Sequence, residues 1–317
     1  MKHTHKKDVL LLFSYDIYPS GVQRYTNHAD ILNEHGRNPD IQYHRSSLDD
    51  LLFVYDGDSL SVIDALSGCD ISEFNMVVFN KWLALPQHAY ATALYLQERE
   101  TPFISGEIVQ QAPLTKLSEF VRLVLVNIPY PKTVFASGKQ LLGYIDKIPF
   151  DFPYIYKDID ASQGKRNYLV HNKKELVQLI QENLQRHFML QEFIENDFDY
   201  RIAIFGGEIK YSIKRSRDAA KTHLNNTSQG SSAQFTAEKN LEAGVASLAL
   251  LAAAALDRKD FCGADVLVGK TGELYILEVN RTPEIQTGFS ISRKSELFTE
   301  YIEQLLDSSQ RVENSET

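Results

Sequence analysis

Cysteine is scarce in this chain, and long apolar runs are missing. The two cysteines among 317 residues, Cys69 and Cys262, lie far apart and outside any CxxC or Cys/His spacing, so neither a disulfide framework nor a zinc site is indicated. The longest apolar stretch, residues 243–256, is shorter than the roughly 20 residues of a membrane span and is typical of a buried helix. The apolar run at 9–13 is too short for a signal-peptide core. We therefore expect a cytoplasmic chain without a membrane partner.

An excess of positive charge is also missing. The 33 Lys and Arg residues are outnumbered by 42 Asp and Glu residues, which leaves a formal net charge of −9. Nucleic-acid binding requires clustered cations that neutralise phosphates, so a nucleic-acid partner is not expected. A small anion such as ATP stays compatible with this composition, because a few converging cations can bind it whatever the net charge. Neither GxGxxG nor GxxxxGK[ST] occurs.

The order of apolar segments predicts two different architectures in the two parts of the chain. The first hundred or so residues alternate short apolar runs, such as 9–14 and 76–79, with helical patterns near 23–35 and 86–99, as in an α/β layer with parallel strands. Later strands follow one another without regular alternation. The second half is therefore predicted to be α+β with an antiparallel sheet.

A predicted hairpin near the carboxyl end carries the strongest cluster of oxygen ligands. Asp265 lies on its first strand, residues 269–272 form the turn, and Glu278 and Asn280 lie on the return strand. If residue 268 pairs with residue 273, Asp265 is opposite Ile276, and strand alternation places all three polar side chains on one face. Oxygen ligands without Cys or His favour Mg²⁺ or Mn²⁺. The alternative is a solvated polar face, against which stands the apolar run around Glu278.

Two further segments are candidates for anion binding. Lys157 ends a predicted strand and precedes the loop Ser162-Gln-Gly-Lys165, whose backbone N–H groups and lysine could contact phosphates. An ordinary surface hairpin is the alternative for this loop. The segment 190–195 is an apolar strand that ends in acidic residues. By itself it is typical of a core strand with a polar end, and only its position between the lysine loop and the hairpin indicates a function.

In this order the segments resemble the ATP-grasp superfamily, in particular the branch with the RimK-type ribosomal-protein glutamate ligase and the glutathione synthetases. The resemblance covers about residues 110–290. It rests on Thr115-Lys116, Ile128–Thr133, Lys157 with Ser162–Gly164, Gln191–Ile194, Asp199-Tyr-Arg201, Gly206-Gly207, Asn226 four residues before Gly230, Gly263-Ala-Asp265, and Leu277–Asn280 with Pro283. The chain departs from the family pattern at Arg166-Asn167, at Leu224 and at Glu284, which stands where the RimK branch has glycine beside the acceptor site.

The resemblance implies a role for each matching residue. Lys116 and Lys157 would contact ATP phosphates, with Asn226 near them, and Asp199 would face the ribose. Adenine would lie against the segment Gln191, Glu192, Phe193 and Ile194, with the backbone at Glu192 and Phe193 reading its edge. Asp265, Glu278 and Asn280 would hold two magnesium or manganese ions. Arg215 would be the cation beside the transferred phosphate, although Lys214 or Arg217 could take that position.

The implied fold is two α+β lobes that clasp ATP, preceded by an α/β pre-ATP-grasp domain. The expected boundaries are 1–112 for that domain, 113–190 for the small lobe, 191–306 for the lobe with the metal site, and 307–317 for a polar, frayed tail.

The implied activity is ligation of a carboxylate to an amine through an acyl phosphate, with a small molecule or a peptide as either substrate. A phosphotransferase with the same ATP cleft and a nucleotide-binding regulatory protein without turnover are the alternatives. A structural domain that binds no nucleotide would require the whole ordered motif set to be coincidence. The sequence leaves the oligomeric state open, a homo-oligomer included.

Overall fold

A computed structural model describes most of the chain. The described ranges are 6–14, 28–110, 115–158, 166–216, 232–237, 241–285 and 288–313. Within these ranges, no helix combines the length and the apolar character needed to cross a bilayer.

The first unit is an α/β layer, as the sequence predicts. Its elements are β1 (Lys7–Phe13), α1 (His28–His35), β2 (Ile41–Ser47), β3 (Leu51–Tyr55), β4 (Leu60–Asp64), β5 (Met76–Phe79), α2 (Pro86–Glu98) and β6 (Phe103–Ile104). Four strands form a parallel sheet in the order β2-β1-β5-β6, because each apolar strand is followed by a crossover rather than a tight turn. The antiparallel hairpin β3–β4 stands outside this sheet and was not predicted.

The second unit is a small antiparallel sheet with helices packed on it. Its elements are α3 (Lys116–Leu125), β7 (Thr133–Ser137), α4 (Gly138–Tyr144), β8 (Tyr154–Asp158), β9 (Asn167–Val170), α5 (Lys173–Gln181) and β10 (His187–Glu192). The strand order is β7-β10-β8-β9. The apolar stripe of α5, with Leu176 and Ile180 fully buried, packs against the inner face of this sheet. This packing orients β8, the strand that carries Lys157.

The third unit contains a five-stranded antiparallel sheet. Its elements are β11 (Asn196–Phe205), β12 (Glu208–Ser216), β13 (Ser232–Ala237), α6 (Ala243–Ala255), β14 (Phe261–Gly269), β15 (Leu274–Asn280) and α7 (Ile291–Glu313). The strand order is β13-β12-β11-β14-β15. The buried helix predicted over residues 243–256 is α6. Gly206 and Gly207 make the β11–β12 turn with φ values of 59° and 78°, a region that glycine enters without steric cost.

The last helix joins the first and third units into one core. Phe298 of α7 packs against Tyr43 of the parallel sheet, with ring centroids 6.2 Å apart, and against Phe205 and Phe261 of the large sheet. The helix runs to Glu313 and so includes the first part of the polar tail expected at 307–317. The apolar stripe of this helix, which includes Ile302 and Leu306, is buried in the shared core. This burial stabilises the helix although its last residues are polar.

Candidate active site

The β14–β15 hairpin brings the predicted oxygen ligands together, but in a register that differs from the predicted one. Asp265 pairs with Glu278 rather than with Ile276, because Val268 pairs with Leu274 at the turn and a bulge between Asp265 and Val266 shifts the ladder by one more residue. Asn280 is two residues beyond Glu278 and pairs with Gly263. The three side chains still share one face, since cross-strand partners and residues two apart point the same way.

Two arginines hold the carboxylate of Asp265. Arg201 of β11 donates to both oxygens, from Nε at 2.8 Å and from Nη2 at 2.7 Å, and Arg215 of β12 approaches at 3.1 Å. Arg215 also binds Asp199 through two hydrogen bonds of 2.7 and 2.8 Å. Burial opposes ionisation of Asp265, but the two guanidinium groups outweigh it and hold the pKa of Asp265 below its usual range. Four charges from three adjacent strands therefore alternate in sign across the sheet.

Glu278 is the carboxylate of this face for which burial and Asp265 outweigh the nearby cations, Lys116 and Arg201. Its side chain is exposed to the cleft, yet the surrounding protein and the nearby Asp265 raise its pKa above the usual value. Among the described residues, the amide nitrogen of Asn280 is buried without a hydrogen-bond partner. That nitrogen is a donor, so it is the amide oxygen of Asn280, together with the Glu278 carboxylate, that suits a divalent cation held by oxygen atoms.

The number of protein ligands limits how a metal ion could be held. In the part of the chain that the structure describes, no three His, Cys, Asp or Glu side chains are grouped so that they could bind one ion. The available set is two carboxylates and the oxygen of Asn280. These donors fit Mg²⁺ or Mn²⁺, which commonly complete their coordination with water and substrate phosphates.

Lys157 faces this hairpin from the small sheet. Its Nζ donates to Gln191 Oε1 at 2.5 Å, and Gln191 Nε2 donates to Thr133 Oγ1 at 3.0 Å, so the lysine is held against β10. Burial lowers the pKa of Lys157 to about 8; Glu278 opposes this shift and Lys116, at the start of α3, adds to it. The two lysines and Glu278 are therefore close enough to influence one another, although they come from different units.

The segment Gln191–Ile194 connects the small sheet to the large one. The N–H of Glu192 donates to Lys132 O at 3.0 Å, and the N–H of Phe193 donates to Pro153 O at 3.3 Å. The Glu192 carboxylate in turn accepts from the Lys132 N–H at 2.8 Å. Both N–H groups are thus engaged within the protein, which fixes the path of the connection at the back of the cleft.

Arg215, Lys214 and Arg217 are the three cations expected near the transferred phosphate. Strand alternation places the first two on opposite faces of the sheet. Arg215 shares a face with Asp265, whereas Lys214 points to the opposite face, where its Nζ lies 3.5 Å from the centre of the Phe198 ring. Arg217, Asn226 and the loop Ser162–Gly164 lie outside the described residues.

A buried ionic network behind β15 was not predicted. Arg258 contacts Glu107 at 2.9 Å and Glu119 at 2.6 Å, and it also donates to the carbonyl of Val279. Arg281, the residue after Asn280, contacts the same two glutamates at 3.2 and 3.1 Å. The network joins all three units at the end of β15. No sequence spacing signals it, because its two arginines come more than a hundred residues after its two glutamates.

Arg201 is a second residue to which the sequence assigned no role. It was noted within Asp199-Tyr-Arg201, where a two-residue spacing places both charges on one face of a strand. That spacing was the available signal. Its partner could not be identified, because Asp265 lies 64 residues later in the chain.

Similar proteins share part of the sequence or the whole fold. A probable alpha-L-glutamate ligase of Maridesulfovibrio salexigens is 27% identical over 177 residues, which are 54% of this chain and 56% of that protein. The coenzyme gamma-F420-2:alpha-L-glutamate ligase of Methanocaldococcus jannaschii is 28% identical over 172 residues, 51% of this chain and 56% of that protein. The matches thus span little more than half the length of these curated relatives.

Two solved structures match nearly the entire chain. The ATP-grasp ligase PsnB complexed with a minimal precursor has a TM-score of 0.64 at 16% identity and covers 96% of this chain and 99% of its own. The D-alanine–D-alanine ligase of Bacillus anthracis complexed with ATP has a TM-score of 0.65 at 16% identity, with 98% and 100% covered. These likenesses show the fold. Because the model of the RimK-like ATP-grasp domain also matches residues 114–305, the chain belongs to the RimK-like ATP-grasp family.

Proposed function

We propose that this protein is an ATP-dependent carboxylate–amine ligase. It transfers the γ-phosphoryl group of ATP to a substrate carboxylate, and an amine then displaces phosphate from the acyl phosphate to form an amide. ADP and phosphate are released. The observation that carries this proposal is the meeting of Lys157 and Lys116 with the Asp265–Glu278–Asn280 face across one cleft. We place the reaction in the cytoplasm, where ATP is available.

The cations on both walls of the cleft bind the phosphates in this proposal. Lys157 and Lys116 contact phosphate oxygens from the small-sheet side, and Arg215 contacts the transferred group from the large sheet. Positive groups that are already oriented stabilise the charge on a transferring phosphoryl group without reorganisation during the reaction. Arg201, to which the sequence assigned no role, supports this site because it holds Asp265 in place.

In the proposal, Asp265, Glu278 and Asn280 would hold Mg²⁺ or Mn²⁺, as two ions. The chemistry that such ions would supply is neutralisation of phosphate charge. The raised pKa of Glu278 is consistent with a site that is completed by a cation.

The nucleotide base lies against the connection between the two sheets in this proposal. Since the N–H groups of Glu192 and Phe193 already donate within the protein, the base would meet the carbonyl oxygens of Gln191–Ile194 and the N–H of Ile194. Asp199 would face the ribose. Its pairing with Arg215 links the ribose end of the site to the phosphate end.

The substrate classes come from the relatives' names. Two relatives are named for joining L-glutamate, and PsnB was solved with a minimal precursor. We therefore propose an amino acid or a peptide as the carboxylate and an amino compound as the acceptor.

The test is a screen for ADP release that depends on an amino acid or a peptide. Hydroxylamine added in place of the amine should intercept the activated carboxylate as a hydroxamate. With the authentic substrates, ¹⁸O placed in the carboxylate should appear in the released phosphate. Formation of AMP, or of unlabelled phosphate during amide formation, rules out the acyl-phosphate route. A phosphorylated final product indicates a phosphotransferase, and nucleotide binding without turnover indicates a regulatory protein.

A further inference from the structure

The hairpin β3–β4 leaves one edge without a neighbouring strand. Within the described residues, β3 pairs with β4 alone. At the turn, the N–H of Asp56 donates to Ser59 O at 3.3 Å, so Asp56 and every second residue before it face β4. Bonded and non-bonded residues alternate along an antiparallel pair. The N–H and C=O groups of Phe53 and Tyr55 therefore face outward, along the free edge of β3.

The side chains along this edge are large, apolar and exposed. Leu52, Phe53, Val54 and Tyr55 are 53%, 39%, 47% and 69% exposed, and they lie on both faces of β3 because strand side chains alternate. Exposed edge strands are commonly protected by a lysine, a proline or a bulge. The strand β3 has neither lysine nor proline, and its pairing with β4 is regular over all five residues. An edge of this kind can take up one more strand.

The charge around the hairpin is negative. Residues 46–80 contain seven Asp and Glu residues and no Lys, Arg or His, so any cation near the hairpin must come from another segment. Arg99 is such a cation, but its Nη2 donates to Leu60 O at 2.8 Å, at the edge of β4 away from β3. Asp56 and Asp58 are exposed in the turn, at one end of the free edge, and form no ion pair within the described ranges. A strand beside β3 therefore meets net negative charge at the turn.

A second copy of this chain would place like charges opposite each other. If two copies of β3 paired about a two-fold axis with their Phe53 residues opposite, Asp50 would lie opposite Asp56 of the second copy. If Phe53 lay opposite Tyr55 instead, Asp50 would lie opposite Asp58. Like charges directly opposite on neighbouring strands are destabilising. The charge pattern therefore favours a strand that carries Lys or Arg beyond its apolar residues.

We propose that β3 binds an extended peptide segment of a partner protein as an added strand, and that this segment has an apolar middle and Lys or Arg at its ends. The outward N–H and C=O groups of Phe53 and Tyr55 supply the main-chain hydrogen bonds. The exposed apolar side chains of β3 contact alternate side chains of the segment, and Asp56 and Asp58 attract its cations. This interaction is separate from the ligase activity proposed above.

Two synthetic peptides of opposite charge test the proposal. The probe is fluorescent Lys-Lys-Val-Thr-Val-Thr-Val-Lys-Lys, and its control has glutamate at the four lysine positions. In fluorescence anisotropy at low ionic strength, the lysine peptide should bind about tenfold more tightly than the glutamate peptide, and salt should reduce this difference. Asp56→Asn combined with Asp58→Asn should weaken binding of the lysine peptide. Asp30→Asn combined with Asp40→Asn, an equal change of charge at exposed positions of the first unit, should leave it unchanged.

Amide exchange shows whether the peptide pairs with the edge of β3. In protein labelled with ¹⁵N at phenylalanine and tyrosine, the lysine peptide should slow exchange of the Phe53 and Tyr55 amides about tenfold, because only a paired strand gives their N–H groups acceptors. Tyr55→Lys should abolish binding by repelling the cationic peptide. Equal affinities for the two peptides, or unchanged exchange at Phe53 and Tyr55, overturn the proposal. A dimer that forms without peptide and dissociates in Tyr55→Lys, measured by analytical ultracentrifugation, overturns it in favour of a second copy.

Discussion

The pKa of Lys157 makes nucleotide binding depend on pH in a defined direction. Burial lowers this pKa to about 8, so the ammonium loses its proton within the range of ordinary binding experiments. With a pKa of about 8, the protonated fraction falls from about nine-tenths at pH 7 to about one-tenth at pH 9. A phosphate contact requires the protonated form. The affinity for Mg·ATP is therefore highest below pH 8 and decreases as the pH rises above it.

The expected loss can be worked out from that fraction. If bound phosphate returns the pKa of Lys157 to its ordinary range, the affinity falls about tenfold between pH 7 and pH 9, or about 1.4 kcal/mol. Binding at pH 8 should take up about half a proton, because about half of the lysine is neutral there. Isothermal titration calorimetry in buffers of different ionisation enthalpy, at constant ionic strength, measures both quantities.

Two arginine variants identify the group that titrates. Lys157→Arg keeps its charge throughout this range, so the affinity of that variant should be nearly constant from pH 7 to pH 9. Lys294, whose pKa is also about 8, lies away from the phosphates, and Lys294→Arg should keep the wild-type slope. A slope that persists in Lys157→Arg refutes the assignment of Lys157 to the phosphates.

Three substitutions test the proposed metal ligands on β14 and β15 and the buried ionic network behind β15. Glu278→Gln should weaken Mg·ATP binding and abolish turnover, yet leave the melting temperature equal or higher, because it removes a carboxylate repelled by Asp265. Asp265→Asn should lose turnover and also about 3–5 kcal/mol of unfolding free energy, since the buried Arg215 and the half-buried Arg201 lose their shared anion; urea titration that finds both variants equally stable contradicts this difference. Arg258→Met should cost a similar 3–5 kcal/mol in the same titration, because Glu107 and Glu119 stay buried with less compensation, and a loss under 1 kcal/mol would argue against the network.

Local patterns in the sequence were sufficient to predict most of the architecture. The parallel first sheet follows from apolar strands separated by helical periods, and the antiparallel large sheet follows from strands joined by short turns. The common face of Asp265, Glu278 and Asn280 also follows from alternation. That face survived an error in register, because the partner of Asp265 differs from the predicted one by two positions. One position comes from the turn, where Val268 pairs with Leu274, and the other comes from the bulge.

The boundaries of elements and the missed hairpin depended on tertiary packing. The polar end of α7 is helical because its apolar stripe is buried against the first and third units. The hairpin β3–β4 belongs to none of the three larger sheets, so no periodic pattern of a layered core indicates it.

The sequence by itself determined the family, the order of the motifs and the residue types available for chemistry, since these depend on spacing along the chain. Only the tertiary structure decided which charges meet. Arg201 and Arg215 reach Asp265 from two other strands, and Lys294 reaches Glu284 from the last helix. Such pairings decide how strongly each charge is compensated, because electrostatic energy depends on distance and burial rather than on position in the chain.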